Sequence, residues 1–190
     1  MKRTEVVLLI VVVLLVAFGW SMSINNHIVT LKEEVNLREA NIEAQLQRRM
    51  DLIPNLVSTA KAYAEHEESV FTAIANARTN LGASLESGDL EKIADANAEL
   101  SLALNQLLAI SENYPELKSS EQFTALMDEL AGTENRISVA RQYYNEVVSK
   151  YNSYIQQYPQ RIAARFLGHS ELPYFEASQG AQTVPVVDFN

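Results

Sequence analysis

The feature that most constrains this chain is an unbroken apolar run, VVLLIVVVLLVAFGW, at residues 6–20. Lys2 and Arg3 precede the run, and the chain that follows it is polar, acidic and typical of helices. A helix needs about 20 mostly apolar residues to cross the hydrocarbon core of a bilayer. Residues 4–24 supply that length if the Glu5 carboxylate reaches the headgroups. The sequence therefore predicts one membrane-spanning helix.

A cleaved secretory signal is the alternative interpretation, because it too has a basic start and an apolar core of about 7–15 residues. Cleavage usually requires a small-residue site of the A-x-A type, and residues 17–19 offer only a weak one, followed by bulky Trp20. The apolar stretch also continues through Met22 to Ile24 without a turn signal. We therefore predict a transmembrane anchor over residues 1–24.

Basic residues near the span set its predicted orientation. Lys2 and Arg3 lie immediately before it, whereas Lys32 and Arg38 lie farther away on the other side. Because cytoplasmic flanks carry the denser cluster of basic residues, we expect a single-pass protein whose N-terminus is cytoplasmic and whose remaining chain is extracytoplasmic.

The charge balance limits the classes of partner. Fifteen basic residues stand against 24 acidic ones, giving a formal net charge of −9. Nucleic acid and anionic lipid headgroups both require a basic footprint, so we expect neither as a partner. The chain has no cysteine, which excludes disulfides, a thiolate nucleophile and a cysteine-based metal site.

Beyond the anchor, apolar residues recur in steps of three and four, forming a stripe that we call the seam. The seam residues are Ile42, Leu46, Ile53, Leu56, Ala60, Tyr63, Val70, Ile74, Ala77 and Leu81, then Ile93, Ala96, Leu100, Ala103, Leu107, Ile110 and Tyr114, then Phe123, Leu126, Leu130, Thr133, Ile137, Ala140, Tyr144, Val147, Tyr151, Tyr154 and Tyr158. Such a pattern predicts an all-α fold in which long helices pack lengthwise into an elongated bundle over residues 25–160.

The helix boundaries follow from the residues that interrupt the pattern. Charges interrupt it at residues 65–68, and turn-forming clusters interrupt it at residues 82–88 and 113–120. The apolar phase is unchanged across Pro54, so we expect a kinked but continuous helix there. The predicted helices are 27–64, 67–83, 89–113 and 119–158. After Pro159 we expect a short helical turn within a mostly extended tail, residues 161–190, whose apolar clusters dock onto another surface.

Two charged residues, Arg49 and Glu67, share the phase of the seam. A charge at a core position must be paired, or must lie where the bundle opens. Either the helices rotate these residues toward solvent, or the two residues belong to a buried polar layer that sets helix register.

The sequence offers no catalytic set, cofactor site or metal site. His66 has no second ligand one helical turn away on either side, and nothing in the sequence joins it to His27 or His169. The acidic residues Glu65, Glu67, Glu68, Glu91, Asp95 and Glu99 are typical of a solvated face. Tyr143, Tyr144, Tyr151, Tyr154 and Tyr158 could form an aromatic binding strip, although packing in the core explains most of them.

Two long motifs and two short ones carry a resemblance to a known family. They are NIEAQLQRRMDLIPNLVSTAKAYAEHE at residues 41–67, ELAGTENRISVARQYYNEVVSKYNSYIQQYP at 129–159, PYFEA at 173–177 and PVVDF at 185–189. In these motifs the chain resembles the LemA family of bacterial membrane proteins. Residues 82–100 match the family only in pattern. The resemblance implies an anchor in the bacterial inner membrane, an antiparallel four-helix bundle, and no established catalytic residues to carry over.

Three functions remain open from the sequence. We favour a non-enzymatic scaffold or adaptor in the bacterial cell envelope, with an envelope protein as its partner and no identified small-molecule substrate. A ligand-sensing bundle and a cryptic metal-dependent hydrolase are the alternatives.

Overall fold

The structure, a computed structural model, describes residues 3–175. All regular secondary structure in that range is helical, which confirms the all-α prediction. The helices are α1 (Arg3–Lys61), α2 (Glu68–Ser87), α3 (Leu90–Ser111), α4 (Pro115–Lys118), α5 (Glu121–Gln156) and α6 (Gln160–Phe166). The rest of the predicted tail, with the PVVDF motif, lies outside the described residues.

The first helix differs from its prediction, because the anchor and the first predicted helix are one helix. Asn25 and Asn26 do not interrupt α1, and the prediction that a helix begins at residue 27 is wrong. Ile24 and Ile28, one turn apart, are both buried, so packing fixes the helix on both sides of the two asparagines. Pro54 lies inside α1 on an exposed face, and the helix is continuous there as predicted.

The break between the first and second predicted helices is confirmed. α1 ends at Lys61, and α2 begins at Glu68. By contrast, Gly82 does not end α2, which continues to Ser87 and stops at Gly88 with a left-handed φ of 65°. The Asp89 side chain then caps α3 by accepting hydrogen bonds from the first-turn amides. With this short connection, α2 and α3 pack against each other as a helical hairpin.

The chain divides into two compact units. The first comprises residues 3–39 and 143–174, and the second comprises residues 40–142 together with Phe175. In the first unit the buried apolar residues are Ile24, Ile28, Val35, Tyr144, Val147, Val148, Tyr151, Ile155, Ala163 and Ala164. In the second unit they include Ile42, Leu46, Ile53, Leu56, Ile74, Leu81, Leu100, Leu107, Leu130 and Ile137.

Most of the predicted seam is therefore buried, with two clear errors. Tyr63 follows the end of α1 and is exposed, and Tyr158 follows the end of α5 and is 72% exposed. Both positions continue the heptad spacing after the helix has stopped, and a periodic pattern has meaning only inside a helix. Glu91 and Asp95 lie off the seam and are exposed, as the same register requires.

Truncation of the seam should cost stability in proportion to burial. Ile137→Ala and Leu130→Ala should each lower the free energy of unfolding by about 2–5 kcal/mol, because each removes buried methyl groups and leaves a cavity. Glu91→Ala and Asp95→Ala should each stay within about 0.5 kcal/mol. Urea unfolding of the full chain in detergent, followed by circular dichroism, measures both effects. A neutral Ile137→Ala would contradict the register of α5.

Candidate functional site

Arg49 is the most unusual buried residue in the described part of the chain, with only 4% of its surface exposed. Its guanidinium donates to Asn97 Oδ1 at 2.5 Å and Ser101 Oγ at 2.9 Å, both on α3. It also forms a charged hydrogen bond with Glu134 Oε2 on α5. We call these four residues the Arg49 junction. Of the two possibilities left open by the sequence, the buried polar layer is therefore the one observed for Arg49.

Neighbouring hydrogen bonds extend the Arg49 junction to α2. The Ser101 hydroxyl donates its proton to the Asn97 carbonyl at 3.0 Å, so the Ser101 oxygen is left to accept the hydrogen bond from Arg49. The Arg78 side chain on α2 donates from Nε to the Met50 carbonyl at 3.1 Å. Side chains from α2, α3 and α5 thus bind α1 at two consecutive residues, Arg49 and Met50.

The electrostatics of Arg49 are those of an enclosed structural cation. Burial lowers the pKa of Arg49, and the Glu134 carboxylate opposes that change. An arginine keeps its proton in proteins even so, and it therefore cannot serve as a general acid or base. The Glu134 side chain is 43% exposed, so solvent shares the stabilisation of its charge. The arrangement can fix helix register, but it leaves little of Arg49 accessible to a substrate.

Glu67, the second charged seam residue, is half-buried and lies in the turn before α2. Its carboxylate accepts a hydrogen bond of 3.0 Å from the Tyr114 hydroxyl. This bond favours the protonated phenol and raises the pKa of Tyr114. The pair ties the α1–α2 connection to the start of α4, which places Glu67 at the end of the seam and not in a central layer.

In the first unit, residues 169–174 form an extended segment along α5, which we call the strap. Side chains of α5 hold its backbone through four hydrogen bonds. Asn152 Nδ2 donates to Leu172 O (2.9 Å) and Leu172 N donates to Asn152 Oδ1 (2.9 Å), so these two residues are reciprocally paired. Tyr151 Oη donates to Ser170 O (3.2 Å), and Tyr144 Oη donates to Pro173 O (3.1 Å). The surface that the strap docks onto is α5. The predicted docking clusters were residues 174–175 and 184–189; Phe175 is buried, whereas the bonded residues 170–173 were not part of that prediction and residues 184–189 lie outside the described residues.

The two α5 tyrosines that bind the strap remain hydrogen-bond donors at physiological pH. Burial, with a smaller contribution from the Glu39 carboxylate, raises the pKa of Tyr144 to about 12. Burial also raises the pKa of Tyr151. Both rings belong to the core while both hydroxyls bind backbone, so packing explains these two tyrosines better than an aromatic binding strip does.

The other residues considered for chemistry do not converge. His66 is exposed, the His27 ring packs 4.5 Å from the Tyr154 ring, and His169 Nε2 lies 3.2 Å from Asn25 Oδ1. Among residues 3–175, no group of three or more histidines and carboxylates is arranged to hold a metal ion. The remaining acidic candidates, Glu65, Glu68, Glu91, Asp95 and Glu99, are all exposed.

The start of α1 is a different kind of surface. Every side chain from Val6 to Val16 is large, apolar and between 40% and 69% exposed. Within the described residues, α1 is the one helix that is long and apolar enough to cross a membrane, judged by length and composition. From Ile24 onward, burial is confined to one side of the helix.

These observations define an all-helical protein with one candidate membrane span. Comparison with known proteins gives the family: the LemA family matches residues 38–189, and the chain belongs to it. The chain is also similar to magnetosome protein MamQ of Magnetospirillum gryphiswaldense, with 28% identity over 207 residues that cover 96% of this chain and 76% of the relative. Magnetosome proteins MamQ 1 and MamQ 2 of Paramagnetospirillum magneticum are each 28% identical over 185 residues, covering 85% of this chain and 68% of the relative.

The sequence had not pointed to the partners of Arg49 or to the strap. Asn97 and Ser101 flank the seam one turn apart, and Asn152 follows the seam residue Tyr151 directly. A small polar residue beside a seam position, facing a charged residue on another seam, is the signal that could have revealed them.

The Arg49 junction predicts unequal effects for two adjacent arginines. Arg49→Ala should lower the free energy of unfolding by about 3 kcal/mol, the lower end for a broken buried pair, because solvent can still reach Glu134. Arg48 is exposed and lies 3.7 Å from Glu129, so Arg48→Ala should cost at most about 1 kcal/mol. Urea unfolding measures the free energy of unfolding of both variants. Arg49→Met, which refills the space, should recover part of the stability lost in Arg49→Ala. Equal losses of stability in Arg48→Ala and Arg49→Ala would contradict the junction.

The strap predicts a local effect at Asn152. Asn152→Ala removes two hydrogen bonds to Leu172, each contributing about 1 kcal/mol, so amide exchange in residues 169–174 should accelerate about tenfold or more. Asn152→Asp keeps the acceptor and loses the donor, so its rate of amide exchange in residues 169–174 should lie between the rates of the unchanged protein and of Asn152→Ala. Hydrogen–deuterium exchange of the full chain measures this, with the exposed Ser153→Ala as the control. Unchanged exchange in Asn152→Ala would show that the strap does not depend on this side chain.

Proposed function

We propose that this protein is a membrane-anchored, non-enzymatic helical bundle that acts as a scaffold or adaptor in the bacterial cell envelope. Residues 1–24 are the anchor, residues 25–160 form an antiparallel four-helix bundle, and residues 161–190 are the tail. The single observation that carries the proposal is the change in exposure along α1, from exposed apolar side chains on all sides at residues 6–16 to burial on one side from Ile24 onward.

The exposure of residues 6–16 supports a membrane span. A helix that is apolar on all sides is stable only when something covers every side. Trp20 and Phe18 lie near one end of the run, where aromatic residues mark the membrane–water interface. Ile24 and Ile28 are buried within the first unit, which supports continuity between the span and a folded domain, and a retained anchor over a cleaved signal.

Contacts in the second unit support the bundle. The α2–α3 hairpin brings two consecutive helices together in opposite directions. The Arg49 junction joins α1, α3 and α5, and Arg78 joins α2 to α1. Four helices linked around residues 49 and 50 are what an antiparallel bundle with a polar layer requires.

An adaptor role is supported by the chemistry that the described residues offer. The buried ionisable groups are engaged in structural hydrogen bonds, and the histidines considered lie apart. The matched family and the MamQ relatives are named without reference to a reaction. We propose that binding occurs through the bundle, on the extracytoplasmic side, because the denser basic cluster of Lys2 and Arg3 favours a cytoplasmic N-terminus.

Crosslinking in cells tests the adaptor role. A photo-crosslinking amino acid at exposed apolar positions of the bundle, Leu102 or Leu108, should yield a discrete adduct with an envelope protein. The matched control places the same group at Glu91, an exposed charged position on the same helix. Repeated absence of any adduct from solubilised membranes would count against an adaptor. A specific small molecule recovered with the bundle would favour a ligand sensor instead.

Membrane retention tests the anchor. The protein should remain in the pelleted membranes after alkaline carbonate washing and should keep its original N-terminus, because removing the span from lipid exposes its apolar surface to water. Charged substitutions at the centre of the span, such as Val12→Lys with Val13→Glu, should release part of the protein. Recovery in the soluble fraction with Trp20 or a later residue at the N-terminus would show a cleaved signal.

Added protease tests the orientation separately. In intact spheroplasts the bundle should be digested, whereas an epitope placed before Lys2 should be protected. Protection of the bundle until lysis would reverse the proposed orientation and leave the anchor unaffected.

A further inference from the structure

The short helix α6 presents an exposed face that neither the fold nor the proposed scaffold role explains. Ile162 is 64% exposed and Phe166, one turn later, is 89% exposed. Ala163 and Ala164, on the opposite side, are buried in the first unit. We call the exposed side, with its two arginines Arg161 and Arg165, the α6 face.

The α6 face combines apolar and basic groups at helical spacing. Arg161 and Arg165 are one turn apart, as are Ile162 and Phe166, so two parallel rows run along the helix. Tyr158 joins the apolar row at the helix start, where its ring lies 5.9 Å from the Arg161 guanidinium carbon. Together these five residues line an open groove of about 410 Å³.

The first unit places this face close to the predicted span. His169 follows α6 by three residues and lies 3.2 Å from Asn25, the residue directly after Ile24. Asn25 is five residues beyond Trp20 on a continuous helix, which corresponds to about 7.5 Å along the axis. The headgroup region extends roughly 5–8 Å beyond each side of the hydrocarbon core. The contact thus brings the chain next to α6 to the level of the headgroups.

The local charge at α6 differs from the charge of the whole chain. The net charge of −9 argues against a broad basic footprint, but it averages over the entire surface. At α6 the two arginines lie beside one carboxylate, Glu171, which accepts a hydrogen bond from Gln156. Guanidinium groups bind phosphate oxygens in a bidentate manner, and phosphate is the group that every phospholipid headgroup offers.

We propose that the α6 face docks on the phospholipid surface beside the anchor, with Phe166 and Ile162 inserted among the headgroups and Arg161 and Arg165 on lipid phosphates. This inference rests on the proposed anchor. A helix of seven residues would bind a membrane weakly by itself. Because the span already holds the chain at the bilayer, α6 has a high effective concentration there and needs only a small affinity.

The docked face would fix the rotation of the first unit on the membrane. A single span leaves a protein free to rotate about its axis, and interfacial aromatic and basic residues restrict that freedom. An adaptor whose binding surface must face a partner in the envelope would gain from such an orientation.

Site-directed spin labelling of the full chain in phospholipid vesicles tests the proposal. Since the chain contains no cysteine, one introduced cysteine is the only labelling site. Three single variants are compared: Val13→Cys in the span, Phe166→Cys in α6, and Leu37→Cys as an exposed apolar control. Leu37 lies 13 residues beyond Ile24, about 20 Å along α1. Collision of the label with oxygen and with a water-soluble nickel chelate reports its depth.

The expected result is a ratio of oxygen to nickel collisions at residue 166 that is about threefold or more above the ratio at residue 37, as for a side chain about 5–10 Å deep. In the Phe166→Cys background, Arg161→Gln with Arg165→Gln should lower the ratio toward that at residue 37. Lys32→Gln, a basic residue on α1 beyond the headgroup level, should leave it unchanged.

The other outcomes overturn the inference in distinguishable ways. A label at residue 166 as aqueous as that at residue 37, with residue 13 in the bilayer, would refute α6 docking and leave the anchor intact. An aqueous label at residue 13 would refute the anchor and the docking with it. Spin–spin broadening at residue 166 would show that a second copy of this chain covers the face.

Discussion

The structure depends first on the apolar surface of α1. Eleven consecutive large side chains from Val6 to Val16 have no buried side. Leaving one such side chain in water costs about 1 kcal/mol or more, so the run costs on the order of 10 kcal/mol, comparable to the roughly 5–15 kcal/mol by which a domain is stable. Only a lipid environment removes that cost without a second layer of protein. From Ile24 onward the same helix has one buried side, and the packed units begin there.

The Arg49 junction provides what apolar packing lacks, a defined register. A seam of leucine, isoleucine and alanine tolerates a shift by one heptad, because every layer looks much like the next. A buried guanidinium does not tolerate such a shift. Moving Arg49 along the seam would separate it from Asn97, Ser101 and Glu134 and leave a desolvated charge. Because Glu134 is half-exposed, the ion pair avoids the full desolvation cost of two buried ions. The junction thus favours a single arrangement of α1, α3 and α5 in the second unit.

Heptad spacing predicted the all-α class and most of the buried positions, because a 3.6-residue period translates directly into a buried face. The charges that interrupt the spacing at residues 65–68 predicted the break between α1 and α2, although α1 ends three residues earlier than expected. Where tertiary packing overrides local preference, sequence reasoning failed. A helix start was predicted at residue 27, but burial of Ile24 and Ile28 keeps α1 continuous there. Gly82 suggested a breaker, but α2 continues through it to Ser87, and the neighbouring Leu81 is fully buried. The partners of Arg49 are 48 to 85 residues away in sequence, beyond the reach of any local pattern.

The strap follows from a requirement of the backbone. An extended segment has no internal partners for its carbonyl and amide groups, so other groups must supply them where water is displaced. Tyr144 and Tyr151 meet this need because a tyrosine ring can belong to the core while its hydroxyl reaches the edge. Asn152 offers a donor and an acceptor to the same residue and so imitates a backbone neighbour. The strap in turn carries His169 to Asn25, which gives α6 a fixed position in the first unit. A covalent path from the span to α6 would pass through most of the chain, whereas this contact provides a short one. For that reason we regard the hydrogen-bonded strap as the element that would hold the α6 face at the level of the headgroups in the proposed docking.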